Sequence, residues 1–517
     1  MSLDENKIST RNADDTEAAT DAESTIFSAP VDHSDKKPQK SKLLPRLLAA
    51  FLALAIVVGG ALAVIKLVPE KQDDAKSDAT IELLALDTDN IEKVELTNEK
   101  GSVTLLSTVT EKDGESTVSW RVDGVTEAYT DSDTIKSTVQ TAAKLSALKA
   151  VEGSLADFGL DKPGITFTLY PRNNAFPQIT VTVGDAAPAG LGYYLKLSEK
   201  DTIYLVDDDI FSLSQVTKLD FATTTGVSGV IQTEKNSSCF TEGSITKFDY
   251  ITLSGKHYPT PLKIEMQNDE AINAYFAFLV TSPSLRIGND ENITSLITLL
   301  SSGIKSEGAY SFDPTDKELE KYGFNSPDAV LTISVAGQTY TIAAAKADDG
   351  YYAVIDSYGG IIHKIPAASL TFVSASVTDY YSSFIVLENL SGLSNFKAAF
   401  NDGTVYDFVT EYKKEDESYK AFIGGKELDI ANFKALYRNF IGLSPVEYAS
   451  KEIKETALTI TLVHSADTPD TVLKFKPYSS GRYQVEMNSI PMGLITTTNY
   501  ENLVSDIKNV ANGVSIK

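Results

Sequence analysis

The stretch from Leu47 to Ile65, LLAAFLALAIVVGGALAVI, constrains this chain more than any other, because its nineteen residues carry no charge. As a helix rising ~1.5 Å per residue it would span about 28 Å, close to the hydrocarbon thickness of a bilayer. A buried core helix is one reading, but core helices are usually amphipathic and this run is apolar on every face. A cleaved signal peptide is a second reading, with Ala61-Leu62-Ala63 as its A-x-A site, yet the run is long for such a segment and lies far from the start of the chain. A permanent transmembrane helix over 47–67 is the third and the expected one. Lys36, Lys37, Lys40, Lys42 and Arg46 precede it, and Glu70, Asp73 and Asp74 follow it. Positive flanks stay inside, so the expected placement is a single pass of the plasma membrane, with the N-terminus cytoplasmic and the C-terminal bulk extracellular.

The chain has 517 residues and a formal net charge of −25. Such a surface repels nucleic acid and other polyanions and favours solubility. A sharper reading is attraction of a basic partner or of divalent cations. One cysteine, Cys239, excludes an intramolecular disulfide. For a mass outside the membrane this suggests a bacterial chain that does not depend on oxidative folding. No histidine stands within fifteen residues of Cys239, so it reads as inert rather than as a nucleophile.

Residues 1–46 are polar and charged and read as a disordered cytoplasmic tail, and 68–80 as a linker. Beyond them the chain repeats itself. Trp120, Ile135 and Tyr194 recur 158 residues later as Phe278, Ile293 and Tyr352, and a diverged third copy offers Phe422, Ile430 and Tyr483. The expected domains are 81–222, 245–380 and 392–517. Each copy opens with alternating strands, such as IEKVELT and SVTLLSTV in the first, and continues with an aromatic-bearing strand. An amphipathic helix follows, capped by Asp131, Asn289 or Asp429. Four more strands and a short closing helix complete the unit. The fold class expected is α+β: a single N-terminal transmembrane helix followed by three related sheet-plus-helix domains in tandem.

Phe158-Gly159-Leu160-Asp161-Lys162-Pro163, then Val183-Gly184-Asp185, Gly192-Tyr193-Tyr194 and Ile203-Tyr204-Leu205-Val206, resemble a bacterial family, the domain of unknown function numbered forty-three-forty. Trp120, Asp131 and the helix before the motif fit as well. The second copy keeps Tyr322-Gly323-Phe324-Asn325-Ser326-Pro327 and Tyr351-Tyr352, whereas the third lacks the Gly-x-x-x-Pro turn. The resemblance implies a single-pass membrane protein associated with ABC-type exporter permeases or gliding-type auxiliary components. It implies no catalytic residue. On the residues alone the motif is a turn: Gly159 permits positive φ and Pro163 fixes the approach to the next strand. The Tyr pairs alternate faces, one towards the core and one out, with a sugar-stacking platform as the sharper alternative.

The chemistry-bearing patterns are sparse. His33, His257, His363 and His464 stand far apart without metal-ligand spacing. Ser394-x-x-Lys397, Ser244-x-x-Lys247 and Ser302-x-x-Lys305 match S-x-x-K, but no S-D-N or K-T-G accompanies them. Asp207-Asp208-Asp209 and Asn289-Asp290-Glu291 offer oxygen ligands, yet they precede helices and read as caps. The expectation is therefore no catalytic, cofactor-binding or metal residues and no cofactor. The chain reads as a non-enzymatic, membrane-anchored extracytoplasmic scaffold or accessory protein, with an ABC-type transporter permease or envelope protein as partner. The alternative is an extracytoplasmic binding module for cell-wall glycan or peptide.

Overall fold

Residues that alternate apolar and polar at period two form pleated strands with one buried face, and here they build three large antiparallel sheets. The computed structural model describes residues 80–516 apart from Asp113 and Ala274. The first sheet contains β1 (Ile81–Ala85), β2 (Ile91–Asn98), β3 (Gly101–Lys112), β4 (Glu115–Val122), then helix α1 (Ser132–Ala143), β5 (Lys144–Val151), β6 (Ile165–Pro171), β7 (Ile179–Ala186), β8 (Tyr193–Leu197) and β9 (Ile203–Val206). A small hairpin of β10 (Phe240–Thr241) and β11 (Ser244–Ile245) precedes the second sheet. That sheet runs through β12 (Tyr250–Ser254), β13 (Leu262–Met266), α2 (Glu270–Asn273), β14 (Phe278–Ser282), β15 (Arg286–Ile287), α3 (Asp290–Ser302), β16 (Ala309–Phe312), α4 (Asp316–Lys321), β17 (Ala329–Val335), β18 (Gln338–Asp348), β19 (Tyr351–Asp356) and β20 (Ile361–Pro366). The third comprises β21 (Leu393–Phe400), β22 (Val405–Lys413), β23 (Ser418–Ile423), β24 (Lys426–Glu427), α5 (Ile430–Ile441), β25 (Leu458–His464), β26 (Thr471–Ser479), β27 (Arg482–Met487), β28 (Ile490–Thr496) and α6 (Thr497–Ala511).

One plan underlies all three. A three-stranded meander leads through a helix into a four-stranded meander, and the first strands of the two pair: β2 with β6, β12 with β17, β21 with β25. A return strand after the helix, β5 or β16, caps the last strand of the first and second sheets. The third keeps only a single bridge there, Glu447 to Leu494. Each main helix starts at a cap whose side chain accepts a free backbone N–H: Asp131 from Thr134 at 2.9 Å, Asn289 from Asn292 at 3.2 Å, Asp429 from Ala431 at 2.9 Å. The residue four places on, Ile135, Ile293 or Phe433, is completely buried against its sheet.

Two expectations need correction. Among the described residues strand outweighs helix by 42% to 23%, so the fold is mostly β rather than α+β. The closing segments of the first two sheets are only 3-10 turns, at Asp208–Ser214, Ala367–Ser369 and Thr371–Val373. Asp78–Lys517 forms one unit, and the sheets share side chains across their boundaries. Phe312 and Ile361 of the second sheet lie in the core of the first, and Ile272, Phe276 and Ile287 lie in the core of the third. Gly360, at φ +82°, leaves the space that Tyr129 of the first sheet fills.

Register corrects the repeat. Following the ladders across each sheet, Trp120 is equivalent to Phe278 and Ala421, and Tyr193 to Tyr352 and Tyr483. Phe422 and Tyr194 are therefore one position off, and a shift of one moves a side chain to the opposite face.

The expected transmembrane helix over 47–67, the tail over 1–46 and all of the linker but Thr80 lie outside the described residues. Among those described, no helix is long and apolar enough to cross a membrane. The longest, α6, has 15 residues and one buried face, about 22 Å against ~30 Å of hydrocarbon. The single-pass placement, with its cytoplasmic and extracellular sides, is accordingly withdrawn.

Candidate functional site

Three deeply buried ionisable side chains join the second sheet to the third, at two separate places. Arg286 begins β15 and is 2% exposed. Its guanidinium donates to the carbonyls of Leu285 (2.7 Å) and Tyr448 (2.9 Å) and to Ser450 Oγ (3.0 Å). Burial holds its pKa below the usual range. The chain then leaves the second sheet and inserts Ile385 and Val386 into the core of the third, which carries Glu388 to the end of β25.

There Glu388 Oε2 faces His464 Nε2 at 2.9 Å, with the two side chains 3% and 5% exposed. His464 Nδ1 lies 2.8 Å from the Pro469 carbonyl, which can only accept, so Nδ1 carries a proton. One further proton then lies between Nε2 and Oε2. Burial pushes the Glu388 carboxyl above its ordinary value, and His464 opposes this. The Tyr437 hydroxyl donates to the Glu388 carbonyl at 2.9 Å. Such a dyad has the chemistry of a general base, but it is sealed from any substrate. What it does here is tie the connecting segment to the third sheet.

Open space lies elsewhere. Each sheet leaves a polar cleft between its main helix and its closing segment. These measure about 550 Å³ beside α1, about 310 Å³ beside α3 and about 570 Å³ between α5 and α6. The largest is lined by Arg438, Asn439, Asn499, Asn502 and Asp506, and Asn439 Nδ2 donates across it to Asp506 Oδ2 at 2.9 Å. Tyr380 is the one aromatic residue lining these three clefts among the described residues, and it is buried. Four of the outer tyrosines are not bare platforms either. Lysine ammonium groups cover Tyr170 (Lys93, 3.8 Å), Tyr351 (Lys364, 4.3 Å), Tyr419 (Lys434, 4.0 Å) and Tyr478 (Lys451, 4.3 Å).

The residues singled out by pattern are scattered. Ser394 and Lys397 lie on β21, where a spacing of three points them to opposite faces. Ser302 Oγ donates back to Thr298 at the end of α3, and Ser244 begins β11. Cys239 closes a 3-10 turn. His257 Nε2 sits 2.8 Å from the Ala375 carbonyl. His363 is buried in β20 with Nδ1 unpartnered, and burial lowers its pKa to about 4. Asp207 accepts from Asp209 N at 3.1 Å, and Asp290 from Ala277 N at 3.0 Å. Arg286 and Glu388 had no sequence signal, since a single Arg and a single Glu fit no motif.

The Gly-Leu-Asp-Lys-Pro motif is structural. Gly159, at φ +68°, ends the 3-10 turn Leu155–Phe158, and a Cβ there would meet the Asp185 carboxylate. A Cβ on Gly184 would meet the Phe158 carbonyl, and the Phe158 ring lies 4.4 Å from that of Tyr194. The motif thus clamps a turn onto β7 and β8.

A family described as a domain of unknown function, DUF4340, matches residues 120–228, from the end of β4 past the closing turns of the first sheet. No curated protein and no solved structure matches the chain.

Proposed function

We propose that this chain, whose residues 120–228 belong to the DUF4340 family, is a non-enzymatic scaffold or accessory protein that works by binding another protein. One observation carries the reading. The buried side chains with the chemistry to act, Arg286, Glu388 and His464, are engaged in joining one sheet to the next and are closed to substrate. An ABC-type transporter permease is the partner that the family resemblance implies. The glycan reading draws less support, because lysines cover four of the outer tyrosines and the open clefts lack exposed rings.

Crosslinking of the tagged full chain in its native cells, followed by mass spectrometry, tests the proposal. Capture of one protein in near-equimolar amount supports it. Saturable binding of soluble cell-wall glycan fragments with no protein captured, or turnover of such fragments, contradicts it.

A further inference from the structure

The segment that joins the second sheet to the third presents an apolar groove. Ile385 and Val386 are buried, whereas Phe384 and Leu387 beside them are 48% and 42% exposed. Between these two side chains and the start of α3 lies a cavity of about 140 Å³, floored by buried Phe276. A pocket of ~150 Å³ accommodates a benzene ring, so this one holds a single Phe or Leu side chain. Its wall is already ordered. Ser382 Oγ accepts from Phe384 N at 3.1 Å, and the Tyr448 hydroxyl donates to the Ser382 carbonyl at 3.0 Å. A preformed wall lowers the cost of ordering on binding.

The rim is anionic. Asp290 and Glu291 line the cavity; Asp290 turns its carboxylate to the Ala277 N–H, and the exposed Glu291 carboxylate by itself exceeds the roughly half positive charge of the helix end it occupies. Arg286, two residues before the cavity's Gly288, is turned away to Tyr448 and Ser450. We propose that this groove docks a peptide segment of a protein partner, one that carries a Phe or Leu side chain next to a Lys or Arg. The net charge of −25 would steer such a segment in. The inference rests on the scaffold reading and adds the chemistry of the partner.

Two peptides, Gly-Lys-Phe-Lys-Gly and Gly-Glu-Phe-Glu-Gly, each with a 4-fluorophenyl ring, are titrated against the full chain by fluorine NMR. The cationic peptide is expected to bind roughly tenfold more tightly than the anionic one. Phe384→Ser and Glu291→Lys are each expected to weaken it about fivefold while the chain stays folded, with Glu291→Lys also costing a little stability at the helix end. Equal binding of the two peptides, indifference to Glu291→Lys, or no binding at about 5 mM would overturn the groove assignment. Cellular capture of a partner that persists undiminished in Phe384→Ser would also overturn it, while leaving the scaffold reading in place.

Discussion

At one pair of equivalent positions the first sheet carries its large side chain on a strand, whereas the third carries it on a helix. Trp120 on β4 is 1% exposed and shares its core with Ile135 of α1. At the equivalent places the third sheet has Ala421 on β23 and Phe433 on α5. The missing volume is restored by an aromatic cluster in which Phe396 meets Phe433, Tyr437 and Phe440 edge-on, at 6.5, 6.4 and 5.2 Å. Close packing requires that the space be filled, not that a given position fill it. The backbone plan thus survives while the large residue changes element.

The largest effect expected from breaking that arrangement is at Trp120. Trp120→Ala should cost about 3–5 kcal/mol in urea unfolding. Adding Ile135→Phe should recover part of the loss if the two cores are interchangeable solutions. A double variant no more stable than the single one would show that they are not.

The second sheet differs from both by placing His363 where the others have Tyr204 and Gly493. Its folded pKa of about 4 lies below the ordinary 6.5, so the unfolded chain binds the proton first. Stability from this group is full above pH 6.5 and falls as pH drops towards 4, by about 3 kcal/mol in total. Measured against His363→Phe, which should remove the difference, the two pH profiles should diverge only below about 6.5.

The motif turn sharpens the comparison further. Gly184 of the first sheet is equivalent to Ala345 of the second, where the Ala345 methyl lies an ordinary 3.5 Å from a Cβ built on Gly323. Gly184→Ala meets backbone instead and should cost about 1–3 kcal/mol, read from the same urea curves. Phe422→Ser should change stability by less than about 0.5 kcal/mol, because Phe422 faces away from the core that Ala421 joins.

The caps, the alternating strands and the existence of the repeat were legible in the sequence because each is a local pattern. The third copy's register was not. Phe422 and Ile430 are aromatic or aliphatic at nearly the right spacing, but the period of two in a strand makes nearly right mean the opposite face. Counting four residues from each cap returns Ile135 and Ile293 and puts Phe433, not Ile430, beside them. The return strand β5 was hidden because Leu145 continues the helical stripe of Ile135, Val139 and Ala142, though α1 ends at Ala143. The seam pairs Glu388 with His464 across 76 positions and Arg286 with Ser450 across 164, and no local pattern reports such contacts.

The central claim is that the three sheets share their cores and form one body. Trp120, the only tryptophan, reports the first sheet alone, whereas far-ultraviolet circular dichroism reports all three. Urea unfolding followed by both signals on one sample should give coincident transitions. A tryptophan transition displaced from the dichroism curve would mean that the first sheet unfolds on its own, and the interlocked description would be wrong.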